Sequence, residues 1–369
     1  MTAVGQADVR TDVQYSTLRL FHPGWFGAVM GTGIVATAGY LNPGDQPGLL
    51  HAAHVFGVTF AILTWLVAVA VAVPYCIRLL RYREAALADL RHPVVGALYA
   101  TLPAAVIVLG TTTATVGGSV LSENARYWIV AVLAAVGGVL AFAVGVLFTY
   151  TLFVGDGPPA DAANGGWFMP PVVSILVPLV LVPLLPWVDA PAARLLVFIG
   201  YAAWGIGFFL FLLVAAAVFH RLVFHPLPPA GLAPSIWIGL GPIGVGSLAL
   251  LRLGQTGDVV WDVNAGAVAA ASTVAAAALW GFGLWWLATA VLTLSRYLRA
   301  GPLPYGVGWW AFTFPLGAYT VATLLLARTW HIGLVEWLGA ALFVLLLGFW
   351  LTVTARTLRA IRTGQAWRR

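Results

Sequence analysis

The chain has 369 residues, of which 61% are hydrophobic and only 8% charged, where a soluble domain carries roughly a quarter charged residues. That balance and a mean hydropathy of +0.95 exclude a soluble globular protein. The net charge of +6 is no nucleic-acid signal either, because the arginines are spread over the ends of apolar runs and form no single patch.

Residues 1 to 20 are polar, with Asp8, Arg10, Asp12 and Arg19, and no signal-peptide core precedes the first apolar run. The N-terminus is therefore expected to be retained, with 1–22 forming a tail. Apolar runs of spanning length follow near 24–41, 54–80, 96–116, 127–153, 170–186, 193–219, 234–250, 272–298, 308–327 and 333–355. The reading is an all-α membrane protein: one ten-helix transmembrane domain over 23–356, closed by a C-terminal tail over 357–369.

Ten spans place both termini on one side. All eighteen basic residues are arginine; fourteen fall on the side of the termini and four on the other, so both tails are expected to be cytoplasmic. Arginine without lysine fits a GC-rich genome, and the expected location is a plasma membrane, most simply a bacterial inner membrane. The carboxylates avoid the helix centres, Glu336 lying just inside the start of the tenth span. Pumps and proton-coupled carriers tend to keep an ionisable group at the midplane. Its absence favours passive permeation and excludes a voltage-sensor helix.

The spans alternate in character. Odd ones are short and rich in glycine and proline, and they begin alike, with FHPGWF at 21, RHPVVG at 91, GGWFMPP at 165, APSIWIG at 233 and GVGWWAF at 306. Successive openings lie about 67 to 75 residues apart, which reads as five helical hairpins in tandem. Pro103, Pro178, Pro242 and Pro315 lie several residues into odd spans, where the first has Gly27, Gly31 and Gly33. A proline or glycine bends a spanning helix and frees backbone carbonyls, which is tolerated where neighbours or a polar cavity satisfy them. Recurrence at five places predicts an inner ring of odd helices around a central pore, with the even helices outside.

At this point the residues carry a resemblance. HPGWFGAVMGTGI, from His22 to Ile34, and GWWAFTFPLGAYTVAT, from Gly308 to Thr323, resemble the first and ninth helices of the tellurite-resistance and dicarboxylate transporter family. That family includes slow anion channels, malate permeases and sulfite exporters. The resemblance implies a homotrimer, one pore of five inner helices per protomer, and a phenylalanine of the ninth helix plugging it. Carried onto this sequence, the plug is Phe314, beside Pro315, with Phe312 the second choice. The two are two residues apart and face different ways, so at most one fills the role.

Further candidates come from position and chemistry. Gly31, Thr32, Gly33, Pro103, Ser174, Pro178, Pro242, Ser247, Thr313 and Pro315 are candidates for the pore lining, although any hydroxyl among them is equally able to bond its own backbone. Arg252 and Arg328 end the seventh and ninth spans, where they either raise local anion concentration or anchor in the interface. His22 and His92, each in a His-Pro pair, sit at the cytoplasmic mouth. His51 and His54 share a helix face without a third ligand, so no metal is expected. The single cysteine, Cys76, forms no internal disulfide, and no cofactor is implied. The expected partners are the bilayer, further copies of the chain and a small inorganic or carboxylate anion, with no nucleic acid. Channel-like passage is the first reading, and proton-coupled dicarboxylate transport or sulfite export the alternatives. An intramembrane enzyme is the reading from another class, and no nucleophile with a base supports it.

Overall fold

The computed structural model describes residues 17–92, 95–154, 159 and 161–367, which are helical with no strand among them. Nine of their helices are long and apolar enough to cross a membrane, and the chain is a multi-pass membrane protein. Helices pack in sequential pairs: α1 (Phe26–Tyr40) on α2 (Leu50–Arg81), α3 (Thr101–Val116) on α4 (Glu123–Val154), and α5 (Met169–Leu181) on α6 (Ala190–Phe224). The last two pairs are α7 (Leu240–Gly254) on α8 (Ala265–Ala300) and α9 (Phe314–Trp330) on α10 (Gly333–Arg362). Helix α1, of 15 residues, is the member of these pairs outside the nine. Most of the predicted N-terminal tail, with Asp8, Arg10 and Asp12, lies outside the described residues.

Burial divides the helices into two sets. The apolar stretches containing α3, α5, α7 and α9 are 67%, 78%, 94% and 89% buried, whereas those of α2, α4, α6, α8 and α10 are between 17% and 28% buried. Odd helices also touch one another in a cycle, α1 on α3, α3 on α5, α5 on α7, α7 on α9 and α9 on α1. The outward faces of the even helices carry Val139, Phe198 and Leu213, each 70% or 71% exposed. Exposed aliphatic and aromatic side chains of this kind call for lipid tails or another protein surface against them.

The prolines act differently from the prediction. Each odd helix is entered through a 3-10 segment, Pro23–Trp25, Gly96–Ala100, Gly165–Phe168, Ala230–Gly239 and Val307–Phe312. Pro103 and Pro242 are then the third residues of α3 and α7, and Pro315 is the second residue of α9. In the first α-helical turn the missing N–H has no intrahelical acceptor to lose, so these prolines start helices without kinking them. Pro178 lies well inside α5 and is not at the equivalent depth; Pro170 and Pro171 hold that place.

Indole N–H groups tie the two sets together. Trp65 of α2 donates to Thr113 Oγ1 of α3 at 3.2 Å, Trp204 of α6 to the Gly246 carbonyl of α7 at 3.2 Å, and Trp280 of α8 to Thr323 Oγ1 of α9 at 2.8 Å. Trp350 of α10 donates to Thr32 Oγ1 of α1 at 3.1 Å. Each of these outer helices thus bonds to the odd helix that follows it around the cycle, and the last bonds to the first. After α10 the chain turns back at Gln365–Trp367, where the Trp367 ring lies 5.9 Å from Phe21 and 5.4 Å from Trp25.

Candidate functional site

Two cavities lie among the five odd helices. One, of about 100 Å³, is walled by their amino-terminal parts, with Met30, Thr101, Met169, Ile238 and Pro315 among its lining. The other, of about 330 Å³, is walled by their carboxy-terminal parts. All five helices give an earlier segment to the first cavity and a later one to the second, so they run parallel. Phe314 is the residue common to both linings, and its side chain is buried, at 3% exposure.

The second cavity has a regular lining. Its residues recur at intervals of three and four, as Ile34, Thr37 and Leu41 on α1, then Val108, Thr111 and Thr115 on α3. Helix α7 gives Val245, Leu248 and Arg252, and α9 gives Phe314, Ala318 and Val321. That spacing keeps one face of each helix toward a common axis. The first residue that each helix gives to this lining, at its Phe314 end, is apolar: Ile34, Val108, Leu176, Val245 and Phe314 itself. An ion passing these side chains loses hydration and gains no replacement ligand, the means by which hydrophobic constrictions gate.

Arg252 is the charged residue in this lining. Its guanidinium donates to Gln255 Oε1 at 3.4 Å, and none of the ion pairs among the described residues includes it. A guanidinium without a carboxylate partner leaves a positive potential in a low-dielectric cavity. Arg328 is placed otherwise. Its Nε and one terminal nitrogen donate to both oxygens of Glu336, at 3.2 and 2.9 Å, and it also donates to the Asn42 carbonyl at 3.0 Å. Glu336 in turn accepts from the Gly44 N–H at 3.0 Å. This cluster fastens the left-handed turn containing Asn42 (φ 53) and Gly44 (φ 90) to the α9–α10 junction; Arg328 is neutralised there.

Phe312 lines neither cavity. It packs edge-on to Trp237 at 5.6 Å and against Phe349 at 5.2 Å. Of the ten lining candidates, Pro315 borders the first cavity, and the other nine line neither of the two. A Cβ on Gly31 would fall 2.2 Å from Thr313 Oγ1, and one on Gly33 would fall 2.6 Å from Val108 Cγ1, so these glycines serve helix contact. Thr32 bonds Trp350 and its own backbone; Ser247 and Thr313 donate to the carbonyls of Ile243 and Trp310. Ser174 faces an apolar groove between α4 and α6, and Pro178 packs toward Gly200 of α6. Pro103 and Pro242 are buried. The residues that do line the cavities were marked by the three-and-four spacing, a signal that glycine and proline content obscured.

His22 and His92 are brought together, with Asp89, Tyr305 and Gln365, around a third cavity of about 340 Å³. Val307 borders both this cavity and the first. His22 Nδ1 accepts from the Gly24 N–H at 3.1 Å and His92 Nδ1 from the Val95 N–H at 3.3 Å. Burial pushes the Tyr305 phenol above its ordinary range, and its hydroxyl donates to Thr357 Oγ1 at 2.9 Å. No cluster of three or more metal-ligating side chains occurs among the described residues.

Residues 20–358 match the family described as voltage-dependent anion channels. An uncharacterized transporter of Methanocaldococcus jannaschii is 32% identical over 351 residues, which cover 95% of this chain and 96% of that one. A sulfite efflux pump of Trichophyton rubrum is 27% identical, with 94% of this chain and 92% of that protein covered. A malic acid transport protein of Schizosaccharomyces pombe is 23% identical over 63% of this chain and 55% of its own length.

Proposed function

The chain belongs to the voltage-dependent anion channel family, and from that premise we propose that it passes small anions across a plasma membrane through a pore enclosed by the five odd helices and closed by Phe314. The single observation carrying this reading is that two cavities stacked along the same parallel helices share Phe314 as a common wall. In the proposal α1 is the tenth span, the pairs are five tandem hairpins, and the odd helices form the inner ring. The arginine distribution supports cytoplasmic termini, which makes the first cavity the inner one and the cavity at Arg252 the outer one. Family likeness supports a homotrimer and slow-anion-channel-like passive conduction, and arginine usage supports a bacterial inner membrane.

The chain's own residues divide the work. Arg252 concentrates anions at one mouth, and the apolar layer at Phe314 sets the barrier. Among the described residues, no acid or base other than Arg252 lines the two cavities, which favours passage without coupled proton movement. A second reading, proton-coupled transport of a C4 dicarboxylate or export of sulfite, is supported by the names of two relatives, a sulfite efflux pump and a malic acid transport protein. The two histidines and Asp89 around the third cavity favour it as well. Reconstitution into liposomes separates the two. The first reading expects nitrate, chloride or sulfite flux that follows the anion gradient and dissipates with it. Accumulation of sulfite or malate against its gradient, driven by an imposed pH difference, would overturn that reading and establish the second.

A further inference from the structure

Between α2 and α3 a short helix, Arg83–Arg91, packs on the end of α2 and on the entry segment Gly96–Ala100. Its inner side is fixed. The Tyr99 hydroxyl donates to the Ala86 carbonyl at 2.6 Å, and a Cβ on Gly96 would fall 2.4 Å from the Leu90 carbonyl oxygen. Arg78, fully buried at the end of α2, donates to the Asp89 carboxylate and to the Arg19 carbonyl. Asp89 and the following His92 border the third cavity, so this helix is part of that cavity's wall.

Its outer side is unmatched. Arg83, Leu87 and Arg91 are exposed at intervals of four and so form one stripe. Neither Arg83 nor Arg91 makes a hydrogen bond or an ion pair among the described residues. Residues 78–92 hold four arginines and two acids; Arg78 and Asp89 neutralise each other, which leaves Arg81, Arg83 and Arg91 against Glu84. Charge alone would leave such a stripe in water, but the apolar side chains place it elsewhere. Leu80, one position before Arg81, is 86% exposed, as a side chain among lipid tails is, so the hydrocarbon boundary lies within a turn of where the short helix begins. Leu87, 47% exposed between two arginines, repeats that order of apolar beside cationic along the helix. This is the pattern of a helix at the headgroup level.

We propose that the short helix is an interfacial element that binds anionic phospholipid of the surrounding bilayer, with Arg83 and Arg91 taking the phosphate-bearing headgroup and Leu87 lying against its acyl chains. The two arginines are about 12 Å apart along the axis, with the leucine between them. Neutral lipid supplies the same apolar contact but no net charge. The preference is therefore for acidic headgroups, and each arginine near such a surface contributes about fivefold in binding. Bilayer contact on one side of the helix holds Asp89 and His92 on the other, which ties the wall of the third cavity to the charge of the membrane. This holds whether or not the cavities form one pathway.

Full-length protein in nanodiscs of phosphatidylcholine alone, and of an equal mixture with phosphatidylglycerol, provides the test. Hydrogen exchange in peptides covering residues 83–92 is expected to be several-fold slower in the mixed bilayer, with peptides of α9 unchanged. In detergent micelles titrated with phosphatidylglycerol, native mass spectrometry should show half-saturation at about 25-fold higher lipid when Arg83→Gln and Arg91→Gln are combined, about fivefold for each. Leu87→Ser should weaken binding as well, which a site for a free anion would not show. Inorganic phosphate added to phosphatidylcholine nanodiscs should leave exchange unchanged. Wild type at 1 M salt, where the Debye length is ~3 Å, should lose the difference between the two bilayers, and this arm needs no variant to fold. Equal exchange in the two bilayers, a difference that survives 1 M salt, an unaltered lipid titration in the double variant, or protection by inorganic phosphate alone overturns the binding surface.

Discussion

Phe314→Ala discriminates between a ring that fills a core and a ring that closes a passage. A fully packed phenylalanine costs about 3–5 kcal/mol on truncation to alanine, because the neighbours that touched it lose those contacts. Phe314 borders a cavity on either side, yet its side chain is only 3% exposed and keeps most of its close contacts. Its truncation is therefore expected to cost about 3 kcal/mol, the lower end of that range. The same change removes the wall between spaces of about 100 and 330 Å³ and lets water follow the ion through. Lowering the barrier by only about 1.4 kcal/mol raises flux tenfold, so a rise of at least that size is expected. Phe312→Ala serves as the internal control. Packed between Trp237 and Phe349 away from both cavities, it should cost the full core value of about 3–5 kcal/mol and leave flux unchanged. Nitrate flux into liposomes, with thermal unfolding of the same preparations, reads both quantities. Refutation is the reverse pattern, in which Phe314→Ala unfolds the protein without conducting while Phe312→Ala conducts.

Arg252→Gln should reduce anion flux several-fold at low ionic strength, with the difference shrinking as salt shortens the Debye length toward ~3 Å at 1 M. A loss independent of salt would point instead to a packing role. Glu336→Gln strips Arg328 of its charge partner and weakens the Gly44 clamp. Arg328 keeps 29% side-chain exposure, so the expected loss is about 2 kcal/mol, below the 3–5 kcal/mol of a fully buried pair, and a melting temperature equal to wild type would contradict it. Trp350→Phe deletes the bond to Thr32 and should cost about 1 kcal/mol without altering anion selectivity, as a permeability ratio of nitrate to chloride would show.

Much of this architecture was legible in the chain before any coordinates. Apolar runs located the nine spanning helices and α1, with some ends displaced by up to seven residues, as at α8 and α10, and the similar openings of the odd segments fall at their 3-10 entries. What the sequence could not separate was the purpose of small and ring-closed residues. Gly31 and Gly33 recur at the right depth, yet they are there so that Thr313 and Val108 can approach; closeness to a neighbouring helix and closeness to a pore select the same residue type. Pro103, Pro242 and Pro315 look like mid-span breaks only because their 3-10 entries are as apolar as the helices that follow. Arg252 and Arg328 both end odd spans, and what distinguishes them is Glu336, eight residues beyond Arg328, whose fold-back is a tertiary fact. Thr32 looked available to a pore because its indole partner, Trp350, lies 318 positions away.

That same distance bears on how the molecule is made. A helix bundle inserted from its amino end receives α1 first and α10 last, so the hydroxyl of Thr32 waits for its donor until nearly the whole chain has been delivered. Until then the odd helices form an open arc, with α1 and α9 at its two ends and no enclosed water path. In the proposed pathway, completion of the conduit thus coincides with the arrival of the final hairpin. Contacts of such long range make assembly slow, so α1 stays without its closing partner for most of the chain's insertion.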